Sequence, residues 1–219
     1  MKDFKMKTQN NITPLMEQYI EIKSNYSDAL LFFRMGDFYE LFFDDAYLAS
    51  DILNITLTKR GKLEGKDIPM CGVPHHSSDR YIEILIRKGI NVAICEQTET
   101  PEDAKKRGYK AIVNREVVRI ITPGTILEDN LIGVKTNNFL LSINDIRGDI
   151  SISWADISTG KVSSSSTSIE KVSSDIARIK PSEVIVSNSY AEKTKINLNK
   201  NKYKLTLLSD SSFNSINSK

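Results

Sequence analysis

A two-domain α/β protein is what this sequence predicts, and three observations predict it. Apolar, strand-like runs alternate with capped helical stretches over residues 13–125. Three strand-like runs joined by short turns then open a differently patterned second half. At 219 residues the chain has length for two modest domains, each able to bury a core. Strands interleaved with helices imply a mixed sheet in the first domain. The predicted organisation is a disordered leader at 1–12, a first domain at 13–125, a linker at 126–136 and a second domain at 137–219.

The leader is polar, carries several lysines and shows little periodicity. Thr13 suits an N-cap and Pro14 a first helical residue, and Leu15, Tyr19, Ile22 and Tyr26 follow at helical spacing. Asp28–Met35 reads as a buried strand that Gly36-Asp37 breaks. Phe38–Phe43 runs back into a helix over Asp44–Leu53, with Ala46, Ala49 and Leu53 inward. Ser78 is expected to cap a helix reaching Lys88, with Ile82, Leu85 and Ile86 apolar and Gly89 as its stop. Asn91–Cys95 is a short strand. Thr100-Pro101 starts a helix that ends at Gly108, Arg115–Ile121 is a strand, and Pro123-Gly124 turns out of it. In the second half Phe139–Ile143, Ile150–Ile157 and Lys161–Thr167 are strands joined by hairpin turns at 147–149 and 158–160. A helix at Ile169–Ile179, a break at Pro181-Ser182 and strands at Glu183–Ser187 and Tyr203–Leu208 complete the pattern.

Apolar residues at 40% and charged residues at 26% describe an ordinary globular chain. The formal net charge of +2 advertises no overall field for a polyanion, although a local patch can still supply one. Cys71 and Cys95 offer no disulfide framework and read as reduced thiols. No apolar run reaches membrane-spanning length and the N-terminus lacks an apolar signal core, so a cytoplasmic location is expected.

The most informative stretch is Arg34-Met35-Gly36-Asp37-Phe38-Tyr39-Glu40. On an extended segment Phe38 and Glu40 share one face and Tyr39 points the other way. A ring beside an acid suits a device that wedges into a base stack and tests the exposed base edge. Around it stand five further blocks: 13–19 (TPLMEQY), 57–61 (LTKRG), 68–76 (IPMCGVPHH), 93–97 (AICEQ) and 117–125 (VVRIITPGT). In this order the blocks closely resemble the MutS family of bacterial DNA mismatch-repair proteins. From Asn137 onward the likeness is looser. The meander followed by alternating helices and strands resembles the ribonuclease H-like fold of that family's connector domain. The polar end at Ser209–Lys219 lacks the last helix of that fold, so an incomplete connector domain, and hence a fragment, is expected.

The resemblance implies a set of roles. The phenylalanine matching Phe38 enters the minor groove and stacks on a mispaired base, and Glu40 probes that base. Wedges that unstack a step cost roughly a few kcal/mol, and a faulty pair is cheaper to open. Phosphates flanking Glu40 would raise its pKa. Charged, it could accept from a thymine or guanine imino N–H; protonated, it could donate to a purine N7. Arg60 and Arg115 fall where the family approaches the DNA backbone, and Met70 near the groove contact. Lys59-Arg60-Gly61-Lys62, after a strand-like run, and a second stretch with Lys105-Lys106-Arg107, Lys110 and Arg115 are the candidate basic patches. The expected partners are double-stranded DNA with mismatches or small insertion loops, and downstream repair proteins through the connector domain. A homodimer is expected for the full-length protein and a monomer for the fragment. ATP and magnesium serve the ATPase of the full-length family member, whose site and clamp regions lie in later domains; no cofactor is expected in this chain, which is read as a non-enzyme.

The same chain offers residues for other chemistries. Cys71, His75, His76 and Cys95 match no standard zinc spacing, so no metal is expected. Gly61–Asp67 lacks the glycine spacing and terminal hydroxyl of a phosphate loop. Asp145, Asp149 and Asp156 could serve a two-metal nuclease, but turn aspartates are the ordinary explanation. A pure protein-interaction module is the remaining alternative.

Overall fold

The computed structural model describes residues 12–108, 111–125, 138–194 and 203–213. The leader and the linker expected at 1–12 and 126–136 fall almost wholly outside these residues. The chain divides into two compact units. The first runs to Ile120 and the second begins at Ile121, with Ile86–Gly89 grouped with the second.

In the first unit α1 (Pro14–Asn25) starts as its sequence demands, with Thr13 accepting from the Met16 N–H at 3.4 Å. It buries Met16 and Tyr19. Strands β1 (Ala29–Met35) and β2 (Phe38–Phe42) form an antiparallel hairpin. Gly36 has φ 60°, the left-handed value that the first turn position of such a two-residue loop requires. α2 (Phe43–Leu53) buries Ala46, Ala49 and Leu53, and Asn54 ends it in the left-handed conformation. Next come β3 (Thr58–Leu63), β4 (Lys66–Pro74), α3 (Ser78–Arg87), β5 (Asn91–Gln97), α4 (Pro101–Arg107) and β6 (Arg115–Ile121). Among the described residues these strands make one six-stranded sheet in the order β3-β4-β2-β1-β5-β6. β1 and β5 pair in parallel, while β1–β2, β2–β4 and β3–β4 are antiparallel.

Two local readings need correction. The hydroxyl of Ser78 caps no helix; it donates to the His75 carbonyl, because a single 3₁₀ turn over His75–Ser77 leads into α3. The basic run 59–62 does not follow a strand but is the strand β3. It lies at the sheet edge and is almost wholly exposed, so no apolar alternation marks it. Its register with β4 slips between Lys59 and Lys62, where Gly61 takes φ 72°.

The second unit holds β7 (Phe139–Ile146), β8 (Asp149–Asp156), β9 (Lys161–Thr167), α5 (Val172–Ile179), β10 (Glu183–Ser187), α6 (Asn188–Thr194) and β11 (Lys204–Leu208). The sheet order is β11-β10-β7-β8-β9, with an antiparallel meander β7–β8–β9 and β10 parallel to both β7 and β11. This is the strand arrangement expected of a ribonuclease H-like domain. Its core is Leu141, Ile143, Ile150, Ile152, Val172, Ile176, Ile179, Val184, Val186 and Tyr190. α6 is an addition to the expected pattern; its polar sequence buries only Tyr190 and so shows no stripe. The turn at Pro123-Gly124, read with the first domain, packs on β10 of this unit, where the Gly124 N–H donates to the buried Glu183 carboxylate at 3.0 Å. Any side chain at Gly124 would meet Leu140 at 2.7 Å and Glu183 at 2.9 Å.

Candidate nucleic-acid interface

One face of the first sheet explains why a single phenylalanine stands apart. Cross-strand register places Glu40 opposite Phe33 and Phe38 opposite Met35 on one side, and Gly72 and Pro74 opposite the same two residues on the other. Toward the inner end of this face Tyr19 of α1 roofs Phe33 and Phe42, edge-on, with ring centroids 5.4 and 5.0 Å away. At the hairpin end that roof is gone. Phe32, Phe33 and Phe42 are 0% exposed, whereas Phe38 is 47% exposed. Among the described residues Phe38 is the one exposed phenylalanine.

Glu40, two residues further along the same face, is buried. Its Oε1 accepts from Arg60 Nη1 at 2.7 Å. Its Oε2 is buried with no hydrogen-bond partner among the described residues. Burial raises the Glu40 pKa, while the cations Arg60 and Arg115 pull it back. The rise has the expected direction, and its cause here is desolvation by the protein. Gly72 lies across from Glu40 on β4: a Cβ there would stand 3.3 Å from the Tyr39 carbonyl, 3.7 Å from Glu40 and 4.0 Å from Phe38. Nothing within the 68–76 block singles out Gly72; only the strand register shows what it leaves room for.

The opposite face anchors the hairpin. The Tyr39 hydroxyl donates to Glu96, Arg34 lies over its ring at 5.5 Å, and the His75 ring packs 5.7 Å away. Burial and the Glu96 charge hold that phenol well above its usual range. Arg34 Nε also donates to the Gly36 carbonyl, and the His75 N–H to the Asp37 carbonyl at 2.8 Å. The turn that carries Phe38 is therefore tied from three sides.

The basic residues separate into different roles. Lys59, exposed, pairs with Asp67 at 2.6 Å. Arg60 pairs with Glu40, its side chain 45% exposed. Met70 is half-buried and packs against the core beside Phe42. Arg115, expected at the DNA backbone, is instead buried. Its guanidinium donates to the Arg34 carbonyl, Gln18 Oε1, the Val113 carbonyl and the Met35 sulfur, and lies 4.8 Å over the Phe33 ring. Four of its five N–H groups thus have acceptors within the chain, and it braces β6 against β1 and α1. Lys106 pairs with Asp103 and Arg107 with Glu99, while Lys110 lies outside the described residues.

Cys71 and Cys95 are buried, and burial pushes their thiols up to about 11 and about 12. No group of three or more metal-ligating side chains occurs among the described residues. Asp145 accepts from Lys193 Nζ and the Gly148 N–H, both at 2.7 Å, and Asp156 accepts from Ser158. Asp149 and Asp156 stand at opposite ends of β8, roughly 23 Å apart at the rise of a strand. Two metals cannot share such carboxylates. No helix of the described residues is long and apolar enough to cross a membrane.

A mixed six-stranded sheet carrying a half-exposed ring beside a half-satisfied acid, followed by a ribonuclease H-like unit, defines a two-domain α/β module. Residues 13–130 match the family description "MutS domain I" and residues 138–219 match "MutS domain II". The chain belongs to the MutS family. It is 53% identical over 195 residues to the DNA mismatch repair protein MutS of Wolbachia pipientis wMel, covering 89% of this chain and 23% of that protein. The Ruegeria pomeroyi protein of the same name is 54% identical over 175 residues (80% of this chain, 20% of that protein), and the Ehrlichia chaffeensis one 50% over 210 residues (95% and 26%). The chain thus spans about a quarter or less of the length of these relatives.

Proposed function

We propose that this chain takes part in DNA mismatch repair by reading mispaired or unpaired bases in double-stranded DNA. Phe38 enters the minor groove at a step that opens cheaply and stacks on the exposed base; Glu40 then accepts from, or donates to, the base edge. One observation carries the reading: a half-exposed ring shares a sheet face with a buried carboxylate whose second oxygen lacks a donor. Leaving a buried acceptor unpaired costs about 1–3 kcal/mol, which a base N–H meeting the carboxylate after its side chain turns outward would recover. Ring–base stacking adds about 1–3 kcal/mol and tolerates any base. Preference for faulty sites then resides in duplex deformability, since an intact step resists the wedge. Lys59 and Arg60 on β3 supply phosphate contacts, with Met70 beside the groove. The MutS names of the relatives support the repair role, and the second unit is assigned to linking the reader with further repair proteins.

The test is a titration of the chain against two duplexes differing in one pair. Tighter binding to the mispaired duplex is expected, with affinity for both falling as salt rises. Equal affinity for the two at every salt concentration overturns the reading.

A further inference from the structure

Arg60 lies on the basic edge strand, where a phosphate would draw it, yet its guanidinium is already engaged by Glu40 at 2.7 Å. The two partners differ in access. The Arg60 side chain is 45% exposed and that of Glu40 only 11%. Nearby, Lys59 and Asp67 pair with both side chains open to water, so that contact exchanges freely and contributes little. The Arg60 contact is different. The carboxylate it serves is largely buried, so losing the guanidinium would leave Glu40 poorly solvated as well as unpaired. Arg60 and Arg115 are the cations acting on Glu40. Arg115 is tied to the Arg34 and Val113 carbonyls and to Gln18, which leaves Arg60 as the one of the two that can swing outward.

We propose that Arg60 is a switchable latch: it stays on Glu40 in the free chain and on intact duplex, and moves to a backbone phosphate only when a base N–H takes its place on the carboxylate. The inference rests on the duplex-reading function above and adds a source of preference to it. On a paired step no base donor reaches Glu40, Arg60 remains latched, and one phosphate contact is withheld. At a faulty site the base edge replaces the guanidinium and the contact forms. Glu40 thereby works against intact duplex through Arg60.

Four chains test this: the parent, Glu40→Gln, Arg60→Gln and the double variant. Each is titrated with a short, fully paired duplex and followed by NMR, which registers even millimolar affinity. A neutral amide at 40 holds a guanidinium far more weakly than a carboxylate does. Glu40→Gln is therefore expected to gain one phosphate contact. Its log–log salt slope steepens by about 0.9, an added loss of roughly 3.5-fold in affinity between about 50 and 200 mM salt. That increment is absent in the double variant relative to Arg60→Gln. An increment that persists without Arg60, or none at all, overturns the latch. The Arg60 Nε–H signal gives a second reading: in the parent it shifts with a mispaired duplex and stays with a paired one. If the Phe38 ring responds to the mispaired duplex and Arg60 does not, the latch alone fails. If no signal moves with either duplex, the duplex-reading function fails and the latch with it.

Discussion

Phe38→Ala is expected to cost this chain little stability and most of its preference for faulty duplex. Fully burying a phenylalanine is worth about 1.5–3 kcal/mol, and Phe38, 47% exposed, gains roughly half of that, about 1 kcal/mol. Its truncation opens no enclosed cavity, because the ring stands at the unroofed end of the sheet face. Phe42, on the same strand and face, is 0% exposed and touches Tyr19 ring to ring. Phe42→Ala should therefore cost about 3–5 kcal/mol. The binding effect runs the other way. Losing one ring–base stack, worth about 1–3 kcal/mol, lowers affinity for a mispaired duplex by roughly 5- to 150-fold. Affinity for a paired duplex, whose bases the ring does not enter, stays within about twofold if phosphates alone hold it. Urea unfolding followed by circular dichroism measures the first quantity and paired-versus-mispaired titration the second. The reasoning is refuted if Phe38→Ala destabilises the chain as much as Phe42→Ala does, or if it leaves the preference for mispaired duplex intact.

Arg115→Met should destabilise the first unit by at least about 2 kcal/mol, since it orphans several acceptors and removes the cation over Phe33; Arg115→Lys should recover little, because a point charge cannot span the same fork. Urea midpoints of the three chains decide it. The raised pKa of Glu40 makes a pH prediction: protons bind the folded chain more tightly than the unfolded one, so this group's contribution is most favourable at low pH. It is lost as pH climbs from about 4.5 through the raised folded value. The stability of Glu40→Gln relative to the parent should accordingly grow over that window and then level off; a difference that shrinks with rising pH reverses the sign and sinks the assignment. Gly124→Ala forces a Cβ to within 2.7 Å of Leu140 and 2.9 Å of Glu183, and overpacking of this kind costs about 1–3 kcal/mol. The single tryptophan, Trp154, packs against the second unit's core and reports its unfolding by fluorescence.

Much of the secondary structure was legible because local chemistry specifies it. Thr13 and Thr100 cap the helices they were expected to cap, and the strands at Arg115–Ile121, Lys161–Thr167 and Glu183–Ser187 fall where expected. Elements lacking an apolar stripe escaped. β3 is an exposed edge held by its pairing with β4, and α6 buries one tyrosine. α5 begins at Val172 rather than Ile169, since Ile169 stays 49% exposed.

The candidate site divides along the same line. Alternation along an extended segment was enough to put Phe38 and Glu40 on one side and Tyr39 on the other, because the pleat of a strand is a local property. Which phenylalanine stays in water was not local. That depends on where α1 stops covering the sheet, which is settled only when the helix packs on β1 and β2. Arg60 and Arg115 read alike as basic residues. Only the packing of strands distant in sequence made one a reachable partner of Glu40 and the other a buried brace, since burial and acceptor supply belong to the assembled sheet and to no residue alone.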